Sequence, residues 1–225
     1  MATSTPVATL TKVRSLLNRR TLNNAMPVPA TNSFNMGSLA PPFELYNVAT
    51  QQKLRLTDFV GNRVGHRSGS PSEQDSSTAD PASPRCPVLL YFTRIFSDTV
   101  YCPLCYPHIV ELGQRYADFV ERGAEVLMIA STDPQQSQTV REDLSLPMPL
   151  LSDPTCRVFR MYQTGQALGA PLPAQFLVDT AGKIRFRHMF SFLEPNASID
   201  RLLVALERIK PLNSSSDPVT RSPQQ

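Results

Sequence analysis

The sequence predicts an α/β fold with a mixed central sheet and helices on both faces. Three observations predict it. Val88–Phe92 and Glu125–Ala130 are nearly continuous apolar runs, the mark of strands buried on both faces. Each run is followed by a segment that reads as a helix. A turn signal, Thr180-Ala181-Gly182-Lys183, then joins two further strand-like runs, Gln175–Asp179 and Ile184–His188.

The elements follow in order. Phe43–Thr57 reads as ordered chain entering the domain. After the first apolar run a helix is expected over 103–122. Ile109, Leu112, Tyr116 and Phe119 recur on one face, and Gly123 ends it. Ser131-Thr132-Asp133 before Pro134 marks the start of a helix running to about Leu144, with proline at the tolerated first position. Leu150-Leu151 is a short strand or turn, and 153–162 a short helix. Ile199, Leu202, Leu203, Leu206 and Ile209 form the apolar stripe of a closing helix.

Composition bounds the rest. The chain has 225 residues, 41% of them hydrophobic, enough for one core with appendages. Twenty-one prolines against nine glycines point to long non-regular stretches. They are 61–87, rich in Ser, Pro, Gly and Asp, and the tail 212–225. Both read as disordered, the first as an insertion within a domain spanning 41–211. Residues 1–40 read as a partly flexible extension, with an organellar transit peptide as the alternative to a cytoplasmic chain.

The net charge is +3, and residues 1–43 hold four cations and no acid, so the remainder carries −1. That balance argues against a nucleic-acid partner. No apolar run is long enough to span a membrane.

Four cysteines do not make a disulfide scaffold, and the close pair in Tyr101-Cys102-Pro103-Leu104-Cys105 reads as a redox or metal site. Its place matters more than its spacing. Cys102 falls where a buried strand hands over to a helix, and unpaired N–H groups there stabilise a thiolate. Cys105, three residues on, is near enough to close a disulfide and is the more buried partner, which suits a resolving thiol. Zinc would need two more ligands, and Cys86, Cys156, His66, His108 and His188 supply no suitable pair, so neither metal nor cofactor is expected.

Pro41-Pro42-Phe43, Leu56-Thr57-Asp58-Phe59, the VLLYF strand, Leu151-Ser152-Asp153-Pro154 and Phe176–Asp179 with Gly182-Lys183-Ile184 resemble the alkyl hydroperoxide reductase/thiol-specific antioxidant (peroxiredoxin) family, in a subgroup with paired cysteines. The resemblance implies a thioredoxin-like fold and a thiol oxidoreductase. It further implies a hydroperoxide or disulfide substrate, a thioredoxin- or glutathione-type reductant, and a monomer or weak dimer. The family's Pro-x₃-Thr-x₂-Cys is matched by Thr99 and Cys102, with Ile95 in place of the proline. The arginine of the family's peroxide pocket falls on Pro173, a position where thioredoxins carry a cis-proline.

Two mechanisms follow from the resemblance: peroxide attack by Cys102 with resolution by Cys105, or protein disulfide exchange through the same pair. A redox-inert interaction module is the non-enzymatic third. Among the other residues, His108 reads as helix surface, Cys86 as a solvated bystander and Cys156 as packed. Arg185 and Arg187 read as exposed strand charges, and Tyr101 as a cover for the thiol.

Overall fold

The computed structural model describes residues 24–31, 34–61 and 85–209. Most of the extension, most of the insertion and the tail therefore lie outside the described residues. The insertion's two ends meet: the Cys86 N–H donates to the Phe59 carbonyl at 3.2 Å.

Among the described residues, seven strands form one sheet in the order β11-β10-β3-β6-β7-β1-β2. They are β1 (Glu44–Asn47), β2 (Gln52–Arg55), β3 (Val88–Phe92), β6 (Glu125–Ala130), β7 (Leu150–Ser152), β10 (Ala174–Val178) and β11 (Ile184–Met189). Strands β3, β6 and β7 run parallel, and the edges are antiparallel hairpins, so the sheet is mixed as expected. Two small hairpins stand apart from it: β4 (Ile95–Ser97) with β5 (Val100–Tyr101), and β8 (Gln166–Ala167) with β9 (Ala170–Pro171). The first was not legible as strands, being too short to show a period of two.

Alternation along β3 builds two cores. Leu89 and Tyr91 face one side, with Ile109, Leu112, Phe119, Val140, Leu202 and Leu206 from helices. Val88, Leu90 and Phe92 face the other, with Val158, Phe159, Tyr162 and Phe176. Rings of Phe92, Phe159, Tyr162 and Phe176 meet at 5.0–5.8 Å in tilted or edge-on pairs. That geometry adds to their area burial.

The helices are α1 (Tyr106–Gln114), α2 (Tyr116–Glu121), α3 (Pro134–Asp143), α4 (Arg157–Met161) and α5 (Ile199–Ile209). Helix α3 begins on Asp133, whose carboxylate accepts from the Gln136 N–H at 2.8 Å, with Pro134 at its first position. The single helix expected over 103–122 is instead two. It starts late because Pro107 has no N–H to give the Pro103 carbonyl, so the turn closed by Tyr106 N–H on the Cys102 carbonyl (2.9 Å) stays isolated from the ladder. It breaks again at Arg115, with φ −105° and ψ 13°.

The helix expected over 153–162 is likewise shorter, because Asp153 acts from outside it. Its buried carboxylate accepts from the N–H groups of Arg157, Val158 and Phe159 at 3.0, 2.8 and 3.2 Å. An Asp153→Ala variant orphans these donors and is expected to lose about 2 kcal/mol of stability in urea unfolding. A change below about 0.5 kcal/mol would mean that other groups cap α4.

Candidate functional site

The site lies at the carboxyl end of β3. After Phe92 the chain runs through Thr93 and Arg94, doubles back as the β4–β5 hairpin, and delivers Cys102 to the turn before α1. The Cys102 carbonyl accepts from Cys105 N–H at 3.0 Å and Tyr106 N–H at 2.9 Å, which fixes the two sulfurs on one side of a single turn. Cys102 is 6% exposed and Cys105 0%, so the second cysteine is the deeper one. Both are free thiols.

The two thiols are driven apart in acidity. Cys102 is lowered to about 6, chiefly because the Cys105 S–H donates to its sulfur. Burial opposes this, while the N–H groups of Leu104 and Cys105 and the Arg94 guanidinium reinforce it. Cys105 is raised, first by that same bond to Cys102, then by burial and the neighbouring thiolate. One sulfur is thus an anion at neutral pH and its partner a proton donor to it.

Arg94 is a candidate site residue that sequence reasoning missed. Its side chain is buried, its Nη2 donates to the Ala167 carbonyl on the β8–β9 hairpin, and its guanidinium lies 4.8 Å from the Phe96 ring centroid. Its backbone N–H also reaches the Cys105 sulfur. Among the described residues, Arg94 Nε has no hydrogen-bond partner. The available signal was a lone arginine ending an apolar strand eight residues before Cys102. An Arg94→Met variant should titrate Cys102 upward and slow its alkylation at pH 6 about threefold or more. An unmoved alkylation profile would mean that the guanidinium is screened from the sulfur.

Thr99 is exposed at the tip of the β4–β5 hairpin, and its hydroxyl lies 3.3 Å from the Ser97 hydroxyl. Pro173 is buried one residue before Ala174, which pairs with Phe92, so it lies level with the end of β3. No cis peptide bond occurs among the described residues, so Leu172–Pro173 is trans. Arg185 pairs with Asp179 at 2.6 Å and Arg187 donates to the Phe34 carbonyl, so neither is a loose strand charge. The Tyr101 hydroxyl donates to Asp143 at 2.8 Å rather than to anything at the thiol. His108 is partly buried, with its ring stacked on Tyr91.

The family model that matches this sequence, described as the AhpC/TSA family, covers residues 73–187, from before β3 to within β11. The chain belongs to the AhpC/TSA family. No curated protein matches it. Among solved structures it is similar to a peroxidoxin, BcpB, from Mycobacterium tuberculosis. The TM-score is 0.59 at 19% identity, over 79% of this chain and 99% of that one. The Plasmodium vivax 2-Cys peroxiredoxin gives 0.58 at 21% identity, over 76% and 80%. A putative thiol:disulfide interchange protein, DsbE, from Chlorobium tepidum gives 0.52 at 20% identity, over 77% and 99%. At such identities the likeness is one of fold. This AhpC/TSA chain thus shares the fold of those three proteins.

Proposed function

We propose that the protein is a thiol peroxidase in which Cys102 attacks a hydroperoxide and Cys105 resolves the product. The observation that carries this reading is the split pair: an acidic Cys102 held by the Cys105 S–H, beside the buried Arg94 cation, whose Nε–H has no partner among the described residues. The Cys102 thiolate attacks one peroxide oxygen. The S–O bond forms as the O–O bond breaks, and the departing alkoxide or hydroxide takes a proton. Arg94 offers a fixed positive charge where negative charge grows on the peroxide. Cys105 sulfur then displaces the sulfenic oxygen as water, giving the Cys102–Cys105 disulfide. A thioredoxin-type dithiol, or two glutathione thiols, then reduces the disulfide to both thiols and is itself oxidised to a disulfide.

Protein disulfide exchange is the second reading, and one observation favours it: the Thr99 hydroxyl is engaged with Ser97 rather than with the sulfur. The trans Leu172–Pro173 peptide weighs the other way, since the thioredoxin pattern uses a cis-proline to receive an extended substrate. A redox-inert module would have no use for an acidic Cys102. Stopped-flow oxidation of the reduced protein by hydrogen peroxide and, separately, by oxidised glutathione discriminates. Faster oxidation by peroxide supports the peroxidase, and faster oxidation by glutathione disulfide replaces it with exchange. Inertness to both leaves the interaction module.

A further inference from the structure

We propose that Tyr91 and His108 form a buried proton relay that takes the thiol proton of Cys105 when its sulfur closes the disulfide with Cys102. The proposal rests on the reading that Cys102 attacks and Cys105 resolves.

The need for such a relay follows from burial. Cys105 is 0% exposed, so bulk water does not reach its proton. In the resting pair that proton is shared with the Cys102 thiolate. Once Cys102 carries an oxygen or a foreign sulfur, the thiolate is gone and its acceptor capacity with it. A thiol is a poor nucleophile and a thiolate a good one, so Cys105 must shed its proton into the protein.

The proposed acceptor belongs to the same core cluster. Tyr91 is fully buried near the end of β3, in the same core cluster as Cys102, Cys105 and Ile109. His108 lies one helical turn after Cys105 on α1. The phenol oxygen and His108 Nδ1 are 2.9 Å apart, and the two rings stack at 5.4 Å with planes 1° apart. His108 Nε2 lies 2.7 Å from the Ala197 carbonyl. A carbonyl only accepts, so Nε2 carries the ring proton and Nδ1 accepts from the Tyr91 hydroxyl. That hydroxyl proton is committed to His108, and the phenol oxygen, against which the Thr93 hydroxyl also lies, keeps a lone pair for another donor.

A second chain of hydrogen bonds locks this arrangement to the cysteine turn. Ala197 N–H donates to Gln175, Gln175 to Asn196, and Asn196 to the Leu104 carbonyl, at 3.0, 2.7 and 3.4 Å.

The ionisable groups facing the relay are few. Cys105, Cys102 and Glu111 act on Tyr91, and Glu111 and His188 act on His108. Burial keeps His108 neutral at rest, free to take a proton, while the Ala197 carbonyl and Glu111 favour the imidazolium once formed.

In the step, the Cys105 S–H bond breaks toward the Tyr91 oxygen as the Tyr91 proton passes to His108 Nδ1. The Cys105 sulfur attacks Cys102. The hydroxide on Cys102 leaves and takes a proton from solvent to become water, while His108 holds the proton displaced from Cys105. The Cys105 sulfur is oxidised by one unit and the sulfenic sulfur reduced by one.

The test uses a disulfide probe, so it does not depend on peroxide. In a Cys86→Ser background, dithiobis(nitrobenzoate) reacts first at Cys102, releasing one thionitrobenzoate. Attack by Cys105 releases the second. His108→Gln can keep both hydrogen bonds but cannot take a proton, and Tyr91→Phe removes the bridging oxygen. Both variants should leave the first release within about twofold and slow the second about tenfold or more. The wild-type second phase should fall as His108 becomes protonated at low pH, and His108→Gln should lose that dependence. A second phase unchanged in rate and pH profile, or both phases slowed alike, would overturn the relay. Failure of hydrogen peroxide to oxidise a protein that shows both releases would overturn the peroxidase reading and leave the relay standing.

Discussion

Cys102→Ser is expected to abolish peroxide consumption, a loss on the order of a thousandfold or more, because a serine hydroxyl stays protonated where this thiol is an anion. Cys105→Ser should behave differently. Its hydroxyl can take over the hydrogen bond that the S–H gives to Cys102, so the first attack should persist at both pH 6 and pH 8. Turnover should stop, because the sulfenic acid on Cys102 has lost the thiol that closes the disulfide. Mass spectrometry of peroxide-treated protein reads this directly. The wild type should carry an intramolecular Cys102–Cys105 bond, and Cys105→Ser an added oxygen on Cys102. A Cys102–Cys86 or Cys102–Cys156 link, or an interchain bond as the main product, would remove Cys105 from its assigned role.

The second large effect is on pH dependence. With Cys102 at about 6, its alkylation rate should be nearly flat above pH 7 and fall about tenfold per pH unit well below 6. The stability of the reduced protein should follow the same pair. A free cysteine titrates near 8.5 in the unfolded chain. Between pH 6 and that value the unfolded state holds both thiol protons, while the folded state holds one, on Cys105. Stability therefore rises with pH across this window, and Cys102's contribution is lost as pH falls through 6. Above it the unfolded chain has lost both protons and the folded state retains one, because Cys105 is raised, so stability falls again. The difference in urea unfolding free energy between the wild type and the Cys102→Ser/Cys105→Ser double variant should thus peak near pH 8.5. A difference that is flat across pH would mean that the two sulfurs are not coupled.

What the sequence by itself determined is the frame and the thiol pair. Apolar runs at Val88–Phe92 and Glu125–Ala130, the Asp133-Pro134 helix start and the stripe from Ile199 to Ile209 are local patterns. Local patterns survive into the structure because each segment has one way to bury its apolar face. Cys102 and Cys105 were legible for the same reason, since they share one turn. Tertiary structure decided what surrounds that pair. Arg94 and Cys102 are eight residues apart and meet only because the chain between them folds into a hairpin too short to show a pattern. Tyr91 and His108 are brought together by the packing of a strand against a helix, and neither is distinguishable in sequence from an ordinary core or surface residue. Thr99 fits the family motif, but the same hairpin carries it outward to Ser97. Which polar groups reach a buried sulfur is set by contacts between segments, and no periodicity within a segment encodes them.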